Sequence, residues 1–120
     1  MTDCNLIIQD QKAICKKLKV EWTPVDINSL IAFNDSLLSA TNPINGLRHP
    51  KHGKTDGWYL WSGEEINQSD NDFFKALHVK HLLDKRPIVL KYLGLPAGWR
   101  FQIDENGYED IWFNKSLLKI

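Results

Sequence analysis

The spacing of apolar residues near the start of the chain predicts an amphipathic helix. Ile7, Ile14 and Leu18 recur at intervals that place them on one helical face, and lysines fall mainly between them. We therefore predict a helix over residues 8–18. The chain is expected to turn around Pro24, because proline disfavours helical geometry at the residue before it.

Three later segments have the patterns of strands. Residues 57–62 are rich in aromatic side chains and are bounded by glycines, which predicts a strand in the centre of a sheet. Residues 99–103 alternate between apolar and polar side chains, which predicts a strand with one apolar face. Asn106 and Gly107 form a typical hairpin turn, so residues 108–114 are expected to return as the neighbouring strand.

The remaining segments give weaker patterns. Residues 28–39 fit either a helical face or a buried strand, and we interpret them as a short strand followed by a turn of helix. Residues 42–50 contain two prolines and a glycine, which is typical of a loop. Helix-capping side chains predict a helix over residues 72–84. A second helix is expected to begin at Pro87 and to end at Gly94 in a left-handed cap.

Together these elements predict an α+β fold. We expect one domain over residues 1–120, with an antiparallel sheet of three to five strands and about three helices packed mainly on one face. The length of 120 residues is close to the commonest size of a single domain. The apolar fraction of 42% is typical of a chain that folds around one core.

The net charge, the cysteine count and the lengths of the apolar runs exclude some classes of binding partner and of cellular location. The 15 basic and 15 acidic residues cancel, so the chain lacks the net positive charge that favours binding to nucleic acids or anionic membranes. The two cysteines are too few for a disulfide framework. No standard signal peptide and no apolar run of membrane-spanning length is present. We therefore expect a cytoplasmic protein that binds neither nucleic acid nor membrane.

The four histidines are the most suggestive candidates for chemistry. They form two pairs, His49 with His52 and His78 with His81, and the second pair would share one face of a helix. Four imidazoles would suit a metal ion, which leaves a small-ligand or metal-binding protein as the alternative function. Against this, the pairs lack the cysteine or carboxylate spacing of a recognised site, so we predict no metal and no cofactor.

No catalytic motif accompanies the histidines. The sequence has no Gly-x-Ser-x-Gly elbow, no phosphate-binding loop and no His-Glu-x-x-His pair. We therefore predict that the protein is not an enzyme.

Several sequence blocks are distinctive when taken together. They are PINGLRHP (43–50), GWYLWSGE (57–64), FFKALHVKHL (73–82), YLGLPAGWRF (92–101) and GYEDIWF (107–113). With these blocks, residues 8–118 resemble the immunity protein thirty-three-like family of bacterial polymorphic toxin systems. The resemblance implies a cytoplasmic protein that binds a cognate toxin and neutralises it by occluding its active surface, as a monomer or weak homodimer. It supplies no catalytic residues.

A partner-binding surface can be predicted from aromatic and acidic residues. Alternation along residues 57–62 places Trp58 and Trp61 on opposite faces of their strand. Either both faces of the sheet are partly covered, or one tryptophan is exposed among acidic residues, as in a binding hot spot. An acidic surface would suit a basic toxin site. The predicted partner-binding residues are Trp61, Glu64, Glu65, Asp70, Asp72, Glu109 and Asp110.

Overall fold

The α+β class is confirmed by a computed structural model that describes residues 4–26, 28–34, 43–50, 55–63, 75–82, 87–104 and 106–118. Within these ranges there is one α-helix, α1 (Cys4–Leu18). The strands are β1 (Leu30–Phe33), β2 (Ile44–Arg48), β3 (Thr55–Ser62), β4 (Lys75–His78), β5 (Trp99–Ile103) and β6 (Glu109–Phe113). Short 3-10 helices cover Val79–His81, Pro87–Tyr92 and Lys115–Leu118.

The described strands form a single sheet in the order β4-β1-β3-β2-β5-β6. The predicted central position of β3 is confirmed, since β3 pairs with β1 on one side and β2 on the other. The expected number and direction of strands are wrong, because the sheet has six strands and β1 runs parallel to β3. The other strand pairs are antiparallel.

Two further predictions are corrected. The predicted loop over 42–50 contains β2, which is buried along its whole length between β3 and β5. The predicted helix over 72–84 is wrong in its described part, where β4 pairs with β1 and a 3-10 helix follows. Both segments gain their strand conformation from hydrogen bonding to neighbouring strands, which outweighs local propensity.

One side of the sheet, here called the front face, carries the main core. Trp58, Leu60 and Phe101 are at most 1% exposed there, and the apolar side of α1 packs against them through Cys15 and neighbouring residues. The 3-10 helix Pro87–Tyr92 also contributes to this core. The expected number of about three helices is wrong for the described residues, which contain one α-helix. α1 and this 3-10 helix lie on the front face, whereas the 3-10 helix Lys115–Leu118 packs on the opposite side of the sheet.

Gly94 serves packing and does not form the predicted left-handed cap. It is absent from the residues with positive φ, and a Cβ atom at this position would lie 2.8 Å from the Trp22 indole. The indole Nε1 of Trp22 donates to the side-chain oxygen of Gln11 at 3.0 Å. The glycine thus lets the chain after the 3-10 helix approach α1 and the segment that follows it.

A buried arginine links the front face to two loops. Arg48, only 4% exposed, donates from Nη1 to the carbonyls of Thr23 and Leu95, each at 2.7 Å. The same nitrogen lies 3.4 Å from the carbonyl of Leu93, and Nε donates to the carbonyl of Asp56 at 3.0 Å. Burial lowers the pKa of Arg48, and the Asp56 carboxylate opposes this effect. The guanidinium therefore connects β2, β3 and the segments around residues 23 and 95.

Candidate functional site

The side of the sheet opposite the front face presents two cross-strand rows of side chains. Directly paired residues of neighbouring strands point to the same side, and successive residues alternate. One row runs across β3, β2, β5 and β6 as Trp61, Asn45, Gln102 and Asp110. The other runs across the same strands as Tyr59, Leu47, Arg100 and Trp112. We call these eight residues the back face.

The β3 and β2 half of the back face is covered. Leu47 and Trp61 pack with Leu117 from the C-terminal 3-10 helix, and Tyr59 packs against this cluster. The Nδ1 atom of His49 lies 2.9 Å from the carbonyl oxygen of Leu117, which fixes the position of this helix. Because Trp61 is only 3% exposed, the interpretation that both sheet faces are partly covered is the correct one for this residue.

The β5 and β6 half of the back face is more open. Asp110 is exposed, whereas Arg100, Gln102 and Trp112 are half-buried. Gln102 donates from Nε2 to Oδ1 of Asn45 at 2.8 Å, and Asn45 donates from Nδ2 to the carbonyl of Gly63 at 2.8 Å. The amide pair fixes the polar row, so this half of the face is a preorganised surface.

Arg100 lies between two indole rings on this surface. Its Cζ atom is 5.2 Å from the ring centroid of Trp112 and 6.0 Å from that of Trp61, within the range of cation–π attraction. Arg100 pairs with Trp112 across β5 and β6. The site therefore combines an arginine with two tryptophans, the residue types that most often dominate binding energy at protein interfaces.

The predicted acidic residues are placed as follows. Asp110 shares the cross-strand row of Trp61, but three strand spacings separate them, a distance of about 14 Å. Glu109 is paired with Ile103 on the front side of β6. Glu64, Glu65, Asp70 and Asp72 lie outside the described residues. Among the described candidates, Trp61 and Asp110 thus share one face of the sheet, and Glu109 lies on the other.

Glu109 borders a cavity of about 200 Å³ between β6 and the 3-10 helix Pro87–Tyr92. Its Oε2 accepts a hydrogen bond from the hydroxyl of Tyr92 at 2.5 Å. Burial, together with this carboxylate, raises the pKa of Tyr92 well above its usual value. Lys91 and Tyr108 also line the cavity. Glu109 therefore has a structural partner within the chain.

The histidine candidates occupy two separate parts of the sheet. His49 follows β2, whereas His78 and His81 lie at β4 and the 3-10 helix after it. The order of strands places β2 and β4 three spacings apart, about 14 Å. The rings of His78 and His81 are 6.1 Å apart between centroids, and His52 lies outside the described residues. Among the described residues, no three potential metal ligands form a cluster.

A family model decides the relationship of this chain to known proteins. The model of the Imm33-like domain matches residues 10–114, which include every strand of the sheet and most of α1. The chain belongs to the Imm33-like family. The resemblance expected from the sequence blocks is therefore confirmed. No curated protein and no solved structure gives a significant match to this Imm33-like domain.

Arg100 of this Imm33-like domain is not among the partner-binding residues that the sequence predicts. The alternation in residues 99–103 already places Arg100 and Gln102 on the side away from the core. The contacts of Arg100 with Trp61 and Trp112 depend on the register of four strands, which the sequence pattern does not specify.

In the parts of the chain that the structure describes, none of the helices has the length and apolar character needed to cross a bilayer.

Proposed function

We propose that this Imm33-like domain is a cytoplasmic immunity protein that binds a cognate bacterial toxin and neutralises it by covering the toxin's working surface. The observation that carries the proposal is the family match over residues 10–114. The protein would act stoichiometrically, as a binding partner and not as an enzyme, and would need no cofactor.

The chemistry of the back face supports this proposal. Its open half combines Arg100 and Trp112 with the amide of Gln102 and the carboxylate of Asp110. Interface cores are enriched in arginine and aromatic residues and have polar rims. The neighbouring amide pair is already ordered by hydrogen bonds within the chain, so this surface would lose little side-chain entropy on binding.

The predicted acidic residues enter the proposal as the rim of the interface. Asp110 is exposed at the edge strand β6, where a carboxylate would attract a basic toxin surface. Charge complementarity of this kind accelerates encounter and discourages wrong partners. Glu109 occupies the neighbouring position of the same strand, but it faces the front side and accepts a hydrogen bond from Tyr92, so it is left out of this rim. Glu64, Glu65, Asp70 and Asp72 are proposed as further rim residues, and Trp61 is proposed to support the interface from beneath Arg100.

Charge reversal at the rim tests the proposal. The product of the neighbouring gene is purified as the candidate toxin, and its binding to the wild-type chain is measured together with inhibition of its activity. We expect a one-to-one complex in which toxin activity is lost. Asp110→Lys is expected to slow association by about tenfold at low salt, because it replaces attraction by repulsion, and to reduce the salt dependence of the rate.

Asp10→Lys is the matched control, because Asp10 is exposed on α1, on the front side of the sheet. This control is expected to leave the association rate close to that of the wild type. Equal rates for the two variants would remove Asp110 from the interface. Absence of any complex with the wild-type chain would contradict the proposed function itself.

A further inference from the structure

Arg48 on β2 and Arg100 on the adjacent strand β5 are both removed from water at least in part, but they differ in their hydrogen-bond partners. The guanidinium of Arg48 meets main-chain carbonyls from several segments. The Nε atom of Arg100 is buried, and no acceptor among the described residues bonds to it. Burial lowers the pKa of Arg100, and no described carboxylate forms an ion pair with it. Arg100 is thus partly desolvated, and none of the described acidic side chains neutralises it.

The indole rings of Trp61 and Trp112 compensate only part of the free-energy cost of removing the Arg100 cation from water. A cation over an aromatic ring gains about 0.5–2 kcal/mol, whereas a charge removed from water without a paired anion loses several kcal/mol. Two other cation–π pairs in the chain, Lys12 over Trp22 and Lys91 over Tyr92, carry no such buried unpaired nitrogen. The arrangement at Arg100 therefore places a cation between two indoles, without an anionic partner among the residues that the structure describes.

The outer end of the guanidinium is the part that a partner can reach. Arg100 as a whole is only half-buried, and Nε is its one buried atom without an acceptor in the described part of the chain. The two Nη groups lie beyond Nε at the end of the side chain, and the Cζ atom that carries them is near the indoles of Trp61 and Trp112. Two N–H groups of a planar guanidinium match the two oxygens of a carboxylate.

We propose that Arg100 is the anchor of the back face and receives an aspartate or glutamate side chain of the partner between the rings of Trp61 and Trp112. The inference rests on the proposed function, since the partner is taken to be the toxin. An incoming carboxylate would supply the missing anion, and docking of the toxin would exclude water from the pair. The pair is thereby strengthened, because charge-assisted hydrogen bonds gain in a dry environment.

A protein carboxylate fits this site better than a nucleic-acid phosphate. The back face offers one arginine, and the exposed carboxylate of Asp110 lies on the adjoining strand of the same face. A polyphosphate backbone requires several cations along its path, and Asp110 would repel it. A single carboxylate within a basic toxin surface satisfies both groups, since Arg100 pairs with the acid and Asp110 with a neighbouring base.

The experiment measures toxin affinity for Arg100→Met, Arg100→Lys and Arg100→Glu. Methionine keeps the apolar contact with the indoles and removes the cation, so the domain should remain folded. We expect Arg100→Met to weaken binding by at least about 30-fold, as for truncation of a buried interfacial charge pair. Arg100→Lys should fall between it and the wild type, because lysine keeps the charge but lacks the planar fork.

The decisive readout is rescue by charge exchange. Arg100→Glu should abolish binding, and one Asp→Arg or Glu→Arg substitution in the toxin should restore it, which a purely structural role of Arg100 would not allow. Lys12→Met is the matched control, since it removes a cation from over an indole on the front side, and it should leave affinity unchanged.

The outcomes separate the inference from the function on which it rests. If Arg100→Met and Arg100→Glu bind the toxin as tightly as the wild type does, Arg100 is not the anchor, whereas the proposed function still holds. Failure of the wild type to bind the toxin would overturn both. Binding of a single-stranded oligonucleotide that depends on Arg100, with toxin binding unaffected, would also overturn the proposal of a carboxylate ligand.

Discussion

Replacement of Arg48 by methionine is expected to lower the free energy of unfolding by about 3–5 kcal/mol, the usual cost of removing one partner from a buried charged network. The substitution leaves the carbonyls of Thr23, Leu95 and Asp56 without their donor. It also removes the cation that faces the buried carboxylate of Asp56. The loss is measured by urea unfolding followed by tryptophan fluorescence.

Arg100→Met is the matched control for this prediction. Both substitutions replace an arginine by methionine on adjacent strands, but the buried Nε of Arg100 has no acceptor among the described residues. Its unfolding free energy should therefore change by less than about 1 kcal/mol. Equal destabilisation by the two substitutions would contradict the view that Arg48 stabilises the fold and Arg100 serves the surface.

Gly46→Ala is expected to destabilise the domain by about 1–3 kcal/mol, as overpacking of a dense core usually does. A Cβ atom at Gly46 would lie 2.2 Å from Cε2 of Phe101 and 3.0 Å from Cδ2 of Leu60. Phe101 has no free space into which to move, since it is fully buried and stacks on Tyr92 with a centroid distance of 4.7 Å. Urea unfolding measures this loss.

A second substitution identifies the cause. In Phe101→Leu the ring atoms that clash with the new Cβ are absent, so adding Gly46→Ala to this background should cost much less than adding it to the wild type. A double-mutant cycle gives the coupling between the two positions. The same cost in both backgrounds would show that the ring of Phe101 is not the reason for glycine at this position.

Local patterns predicted the elements whose signals are contained in their own residues. α1 has helical periodicity, β5 alternates strictly, and β6 follows an Asn-Gly turn whose Gly107 has the expected positive φ of 96°. Such signals depend only on contacts with one core face or one turn. They therefore remain valid without knowledge of the remaining chain.

Elements that depend on distant neighbours were not predictable in this way. Gly46 was read as part of a loop, but it is required in β2 because the ring of Phe101 lies over it. β4 has helix-compatible residues and becomes a strand by pairing with β1. The same limit applies to the back face. Alternation along one strand is enough to place Trp61 on the face opposite to Trp58, whereas the position of Arg100 between two indoles depends on the register of β3, β2, β5 and β6.

The toxin is proposed to bind the open half of the back face. Amide hydrogen exchange of the chain, free and in complex with the neighbouring gene product, tests this proposal directly. Protection on binding is expected to be concentrated in β5 and β6, over residues 99–113, while α1 on the front side exchanges at its free rate. Protection confined to α1, with unchanged exchange in β5 and β6, would contradict the proposal.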